Sequence, residues 1–212
     1  MKGSVVFDAV SIDLQPEMVL GQMGYERDNR VSPAVSRQVE RSIRETLPLI
    51  ESRGCYCVLP KEEHGTFAAF PDAEGIVLAL ATIDGRVEQK AREFMEAGRS
   101  ATALAVDAIG TVAVEQVSNF LEREIRSAAA DHDWKVSRRY APGYCGWNLT
   151  AQRDIFRCLP ETLGVELSEG CLMLPEKSLS FVCLLSRNGD FNASAIADCK
   201  ACREQACPFR KE

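Results

Sequence analysis

The stretch "RRYAPGYCGW", residues 138–147, differs in composition from an ordinary core helix or strand. A guanidinium such as that of Arg139 can hold a carboxylate through two hydrogen bonds and keeps its charge at any physiological pH. Pro142 fixes one backbone dihedral and Gly143 lets the backbone approach a ligand closely, so the centre of the stretch predicts a tight turn. Tyr144 adds an aromatic face that attracts cations. Without further information, the alternative is a surface turn whose arginine pairs with an acid.

The sequence just before this stretch predicts a long helix, and the sequence after it predicts a short helix followed by strands. A long helical pattern runs from Ala101 to about Ala130 and contains Gly110, either a weak point or a contact point. Its charged end, "EREIRSAAADHD" (122–133), is interpreted as solvated. The stretch is followed by a short helix in "TAQRDIFRCLPETLG" (150–164) and by one or two strands in "CLMLPEKSLSFVCLLSR" (171–187).

The front half predicts further strands and helices. A helix is expected to begin at a Ser32 cap with Pro33 in its first turn and to end by Gly54. The remaining predictions are a strand in 4–14, a short helix in 15–25, strand material in "CYCVLPKE" (55–62) and "FAAF" (67–70), a buried strand in "GIVLALATI" (75–83) and an amphipathic helix in 84–98. The fold class is therefore α+β.

Several of these elements together carry a resemblance to a known family. "RRYAPGYCGW", the helix "NLTAQRDIFRCL" and then "GVELSEGCLMLPEKSLSFV" follow one another in the order and spacing of the activation domain of vitamin B12-dependent methionine synthase. The chain resembles that domain most closely from about Ala101 to Leu185, and its front half is similar to smaller stand-alone relatives. The resemblance implies a twisted antiparallel sheet flanked by helices over residues 1–197, followed by a cysteine-rich tail, 198–212, which the synthase lacks.

The family binds S-adenosylmethionine and presents it to a cobalamin carried by another domain or protein. By resemblance, Arg139, Ala141 and Tyr144 take the S-adenosylmethionine positions, with Gly143 allowing close backbone approach. Glu115 matches a family glutamate on the helix that faces the corrin, and is the candidate catalytic residue. Phe191 falls about where the family has a tyrosine near the ligand.

Composition excludes some classes of function. The formal net charge of −6 argues against a nucleic-acid surface, and no apolar run has the length of a membrane span. The start of the chain lacks the apolar core of a signal peptide, so a cytoplasmic location is expected. In that reducing compartment, nine cysteines suggest metal binding or redox chemistry rather than disulfides.

Three of these cysteines form the motif C-x2-C-x4-C-P: Cys199, Cys202 and Cys207. Thiolates this close in a polar tail predict a metal site. It is a [4Fe–4S] cluster or a structural zinc, which normally take four ligands, or a three-cysteine cluster with an open iron site. Cys145 is the first candidate for the fourth ligand. The rival ligands, Cys57, Cys171 and Cys183, lie in apolar segments where a buried free cysteine is the usual interpretation.

The resulting hypothesis is an accessory protein of methionine biosynthesis. It would activate a corrinoid methyltransferase reductively, with S-adenosylmethionine methylating the cobalamin while Co(II) is reduced by a donor such as a ferredoxin or flavodoxin, either directly or through the tail cluster. Two alternatives stay open at this point: a non-catalytic corrinoid-protein binding module with zinc in the tail, and an iron–sulfur electron-transfer protein with a vestigial S-adenosylmethionine pocket.

Overall fold

The computed structural model describes residues 3–25 and 31–191. Five α-helices occur in these ranges: α1 (Pro16–Gln22), α2 (Pro33–Thr46), α3 (Arg86–Glu96), α4 (Ser100–Ala130) and α5 (Gln152–Cys158). The strands are β1 (Ser4–Phe7), β2 (Arg53–Val58), β3 (Gly75–Thr82), β4 (Lys135–Val136), β5 (Glu166–Leu167), β6 (Met173–Leu174) and β7 (Ser178–Ser186). No helix among the described residues is both long and apolar enough to span a bilayer.

Five of the strands form one antiparallel sheet in the order β1-β2-β3-β7-β4, and β5 and β6 form a separate hairpin. The middle strand, β3, is buried along its whole length because both faces of the sheet are covered. Its alternate residues divide between two cores: Val77, Ala79 and Ala81 join the core under α1–α4, and Ile76 and Leu78 join the core on the other face. The α+β class and the twisted antiparallel sheet are thus as predicted.

Helix α4 crosses the sheet and contributes the largest apolar face to the first core. Val117, Leu121 and Ile125 follow at intervals of four residues and are fully buried, as one stripe of a helix should be. Leu121 lies directly on Gly54, where a Cβ would stand 2.9 Å from its Cδ2. The expectation that Gly54 ends the preceding helix is therefore wrong: α2 ends at Thr46, a short 3-10 turn follows, and Gly54 belongs to β2.

Gly110 of α4 is a contact point rather than a weak point. A Cβ there would lie 3.1 Å from Val87 Cγ1 and 3.2 Å from Lys177 Cε. The Lys177 ammonium reaches across the helix and pairs with Asp107 at 2.7 Å and with the Thr111 hydroxyl at 3.0 Å. The absence of a side chain at Gly110 thus lets the segment before β7 pack on α4.

Two other boundaries differ from the sequence-based expectations. The first strand covers only Ser4–Phe7 rather than 4–14. "FAAF" (67–70) is not a strand but a turn after a 3-10 helix, Lys61–Thr66, because Phe67 and Phe70 both point into the second core. The predicted tail, 198–212, lies outside the described residues, so its separation from residues 1–197 stays a prediction.

We expect Gly54→Ala to destabilise the fold by about 1–3 kcal/mol, because a methyl group would overlap the fully buried side chain of Leu121. Urea unfolding followed by circular dichroism measures this change. Gly21→Ala in α1 is the matched control, since a Cβ there meets nothing within 4 Å and alanine favours a helix. Equal unfolding midpoints for the two variants would contradict the close approach of α4 to β2.

Candidate functional site

The segment 138–147 is attached to β7 along its first residues. Ser137 donates its N–H to Leu184 O at 3.0 Å, and its hydroxyl accepts the Leu184 N–H at 2.9 Å. Tyr140 and Val182 then exchange two backbone hydrogen bonds of 2.8 and 2.7 Å. The segment thus continues the direction of β4 as an irregular edge of the sheet, and side chains alternate between the two faces as in a strand.

This alternation sends the two arginines in opposite directions. Arg139 reaches α4 and Ala141 packs against the core under α4. Arg138 lies over the ring of Tyr140 at 4.7 Å from its centroid, and Tyr140 belongs to the second core. The adjacent arginines therefore serve different surfaces, which the letters "RR" alone do not show.

The Arg139 guanidinium is held by three side chains of α4. Its Nη2 donates to Glu115 Oε1 at 2.6 Å and to Asn119 Oδ1 at 3.2 Å, and its Nε forms an ion pair with Glu122 Oε2 at 3.1 Å. The remaining nitrogen, Nη1, is buried and has no hydrogen-bond partner among the described residues. A buried unpaired donor is unfavourable by about 1–3 kcal/mol, so an acceptor at this position would stabilise the site.

The turn after Arg139 is closed by its own backbone. Gly143 has a φ of +89° and donates to Trp147 O at 2.8 Å, while Tyr144 donates to Ala141 O at 3.2 Å. Glycine adopts this left-handed conformation without strain, which explains its place in the turn. The side chain of Tyr144 is left 52% exposed at the surface beside this turn.

An aromatic cluster fixes the far end of the segment on the second face. The Phe70 ring packs at 5.2 Å, edge-on, against Trp147 and at 5.3 Å against Tyr140. A shallow cleft of about 310 Å³ opens beside it between residues 66–69, the segment and α5, with Asp154 at its rim. Phe70 was missed as a supporting residue because its surroundings were interpreted as a strand.

The structure divides the predicted site residues between the two faces. Glu115, Arg139 and Ala141 lie on the α4 side. Cys145, which has a φ of 52°, and Phe191 pack against the second core. The predicted contact of Phe191 with the ligand therefore has no support from its packing and stays a prediction.

No family model and no curated protein sequence matches the chain. Among solved structures, the MetH reactivation domain bound to AdoHcy matches with a TM-score of 0.64 and 13% sequence identity, over 90% of this chain and 80% of that one. The chain has the fold of a methionine synthase reactivation domain. The sequence-based expectation of this fold is thereby confirmed, while an identity this low says nothing about the individual site residues.

Sequence reasoning missed part of the site of this reactivation-domain fold. The stretch 122–133 was interpreted as a solvated helix end, yet Glu122 is only 21% exposed and binds Arg139. Asn119 was also not singled out. The signal that could have found them is their helical spacing from Glu115: positions 115, 119 and 122 lie on one face of α4.

The described cysteines do not form a metal site by themselves. No group of three or more His, Cys, Asp or Glu side chains among residues 3–25 and 31–191 is arranged to hold a metal ion. Cys199, Cys202 and Cys207 lie outside the described residues. Cys57, Cys171 and Cys183 are buried, as the alternative interpretation of free core cysteines predicts.

We expect Cys55, Cys57 and Cys183 to resist alkylation in the folded protein. Burial raises the pKa of their thiols to about 12, about 11 and about 12, so at pH 8 almost none of the reactive thiolate is present. Iodoacetamide labelling with peptide mass spectrometry measures this. In metal-free protein, half-buried Cys145 is the internal comparison and should be modified first, and all four should react in denaturant. Rapid native labelling of Cys183 would contradict its position between the sheet and α4.

Proposed function

We propose that the chain binds S-adenosylmethionine at Arg139 and acts as the reactivation component of a cobalamin-dependent methyltransferase. The observation that carries the proposal is the Arg139 guanidinium, which is held in place by α4 and keeps one buried nitrogen without a partner. An α-carboxylate is a ligand group that a guanidinium binds through two parallel hydrogen bonds. The similarity in fold to a MetH reactivation domain bound to AdoHcy supports a ligand of this class.

The neighbourhood of Arg139 fits both charges of an amino-acid moiety. The edge formed by Nη1 and Nη2 is the one a carboxylate would take, and Nη2 is at present shared by Glu115 and Asn119. Glu115 is 45% exposed, so it can move off Nη2 at little cost. A ligand carboxylate would replace it there, and the released Glu115 carboxylate would face the ligand's ammonium group. The Glu115–Arg139 ion pair thus holds the site in charge balance without ligand.

The turn supplies the other expected contacts. Ala141 presents no bulk, Gly143 permits close approach of the backbone, and the exposed ring of Tyr144 can lie against a sulfonium. S-adenosylmethionine would supply a methyl group with no proton transfer in the methylation itself. Glu115 is accordingly assigned to binding and to contact with the partner rather than to acid–base chemistry.

The proposed partner is a cobalamin-carrying protein or domain of methionine synthase or of another corrinoid methyltransferase. The half-exposed Glu115 on α4 and the half-exposed Tyr144 of the turn are the parts of the surface where the methyl group would be offered. An external donor such as a ferredoxin or flavodoxin would supply the electron for Co(II).

We also propose that residues 198–212 bind a metal through Cys199, Cys202 and Cys207. Three tail cysteines need a fourth ligand, and Cys145 lies at the surface of the second core, against which the end of the described chain, Phe191, also packs. This shared location is the reason that Cys145 is the proposed fourth ligand. A [4Fe–4S] cluster would serve electron delivery, and zinc would serve structure.

We expect wild-type protein to bind S-adenosylmethionine and Arg139→Ala to weaken binding about 100-fold, because two charge-assisted hydrogen bonds to the carboxylate are lost. Isothermal titration calorimetry measures the affinity. Arg123→Ala removes the same charge from an exposed position of α4 and should leave the affinity unchanged.

Other outcomes would favour the alternatives. A protein that binds the corrinoid partner but shows no affinity for S-adenosylmethionine is a binding module. A protein that is reversibly reduced and has no such affinity is an electron carrier. Unchanged affinity in Arg139→Ala would remove the site from this segment.

Anaerobic purification, followed by an absorbance spectrum and iron, sulfide and zinc analysis of one sample, tests the metal. We expect an iron–thiolate band at about 400 nm with matching iron and sulfide, and its loss in Cys145→Ser. Cys158→Ser, a half-buried cysteine of α5, is the control and should keep the full metal content. Zinc in a colourless protein would make the tail structural, and full metal in Cys145→Ser would exclude that ligand.

A further inference from the structure

We propose that Glu122 is a positioning residue that selects for the carboxylate of the ligand by holding Arg139 at its Nε. The inference rests on the proposed function, since it concerns how the same site recognises S-adenosylmethionine. It assigns a role to a residue that does not need to touch the ligand.

Glu122 and Arg126 of α4 together bind the edge of the sheet, and this pair is called the clasp. Glu122 Oε1 accepts from Arg126, one helical turn further along, at 2.7 Å from Nη2 and 3.1 Å from Nε. Arg126 in turn donates to the carbonyls of Val136 and Ser137, both at 2.8 Å. The backbone that leads directly into Arg138 and Arg139 is therefore tied to α4 through this pair.

The other oxygen of the same carboxylate holds Arg139. Glu122 Oε2 forms an ion pair with Arg139 Nε at 3.1 Å, so the two oxygens serve two different arginines. Occupying Nε fixes the rotation of the guanidinium about its long axis. The edge formed by Nη1 and Nη2, which includes the unpaired nitrogen, is then the one left for a ligand.

Burial gives this arrangement its strength. The side chains of Glu122 and Arg139 are 21% and 17% exposed, so water screens their attraction less than that of a surface ion pair. Without the negative charge between them, the two guanidiniums of Arg126 and Arg139 would repel each other. Arg139 would then turn towards Glu115, the remaining carboxylate. The ligand would have to compete with Glu115 for a guanidinium that no longer has the right orientation.

The test compares S-adenosylmethionine with decarboxylated S-adenosylmethionine, which lacks only the carboxylate. Wild-type protein should prefer the complete ligand. Glu122→Gln should weaken binding of S-adenosylmethionine about tenfold and leave binding of the decarboxylated analogue unchanged. Glu124→Gln removes a charge two residues further along α4, away from both arginines' ion pairs, and should change neither affinity.

Each outcome separates this inference from the proposed function. Equal weakening of both ligands by Glu122→Gln would make Glu122 a merely structural residue and overturn the inference. Wild-type affinity for S-adenosylmethionine in Glu122→Gln would overturn it too, while leaving the proposed function intact. Absence of S-adenosylmethionine binding in the wild type would overturn both. If Glu122→Gln does not fold, Glu122→Asp is measured in the same way, because its shorter side chain keeps the charge but cannot reach both arginines; the same selective loss is expected.

Discussion

The close packing of α4 on the sheet is the constraint on which the rest of the structure depends. Gly54 and Ala79 present little or no side chain to the helix, and Leu121 occupies the space at Gly54. The same helix carries Glu115, Asn119 and Glu122 on the face that meets the edge of the sheet. Because the same helix packs on the sheet and carries these side chains, the depth of its packing in the core also sets the distance of its carboxylates from Arg139.

The second constraint is the attachment of the segment 138–147 to β7. Backbone hydrogen bonds at Ser137 and Tyr140 fix which side chains point to each face, so Arg139 cannot exchange places with Arg138. The clasp through Arg126 adds a link from the helix to the same backbone. Position and orientation of the Arg139 guanidinium thus come from two independent attachments, one along the strand and one from the helix. Such preorganisation lowers the entropic cost of ordering the site, which ligand binding would otherwise have to offset.

Sequence reasoning reached the fold because its signals were strong and local. The apolar run at 75–83, the 3.6-residue pattern of α4 and the order of motifs around "RYAPGY" each agreed with the others. It failed where packing against distant residues decides: Gly54 was assigned to a helix end, although its role is to accept Leu121 from a helix 67 positions later. "FAAF" has strand-like composition, but Phe67 and Phe70 are placed by the aromatic cluster rather than by pairing. In the same way, Arg139 and Glu115 were each predicted from the sequence. Which atoms of Arg139 each neighbouring side chain binds depends on side-chain geometry, which the sequence does not show.

The separation of the two faces also limits how a metal at Cys145 could serve chemistry at Arg139. Cys145 follows Tyr144 directly in the sequence but packs against the second core. Arg139, by contrast, lies against α4 on the other face of the sheet. A cluster held by Cys145 would therefore sit at the rim of the sheet, on the side of Phe191 and Trp147, rather than in contact with the ligand. An electron from it would have to pass around the turn at Tyr144 to reach a corrin above α4. A structural zinc would need no such path, because pinning the tail to the second core would stabilise the far end of the turn and leave the Arg139 side free for the partner. The spatial division thus makes electron delivery the more demanding of the two roles, and it makes the route through the turn a part of that hypothesis.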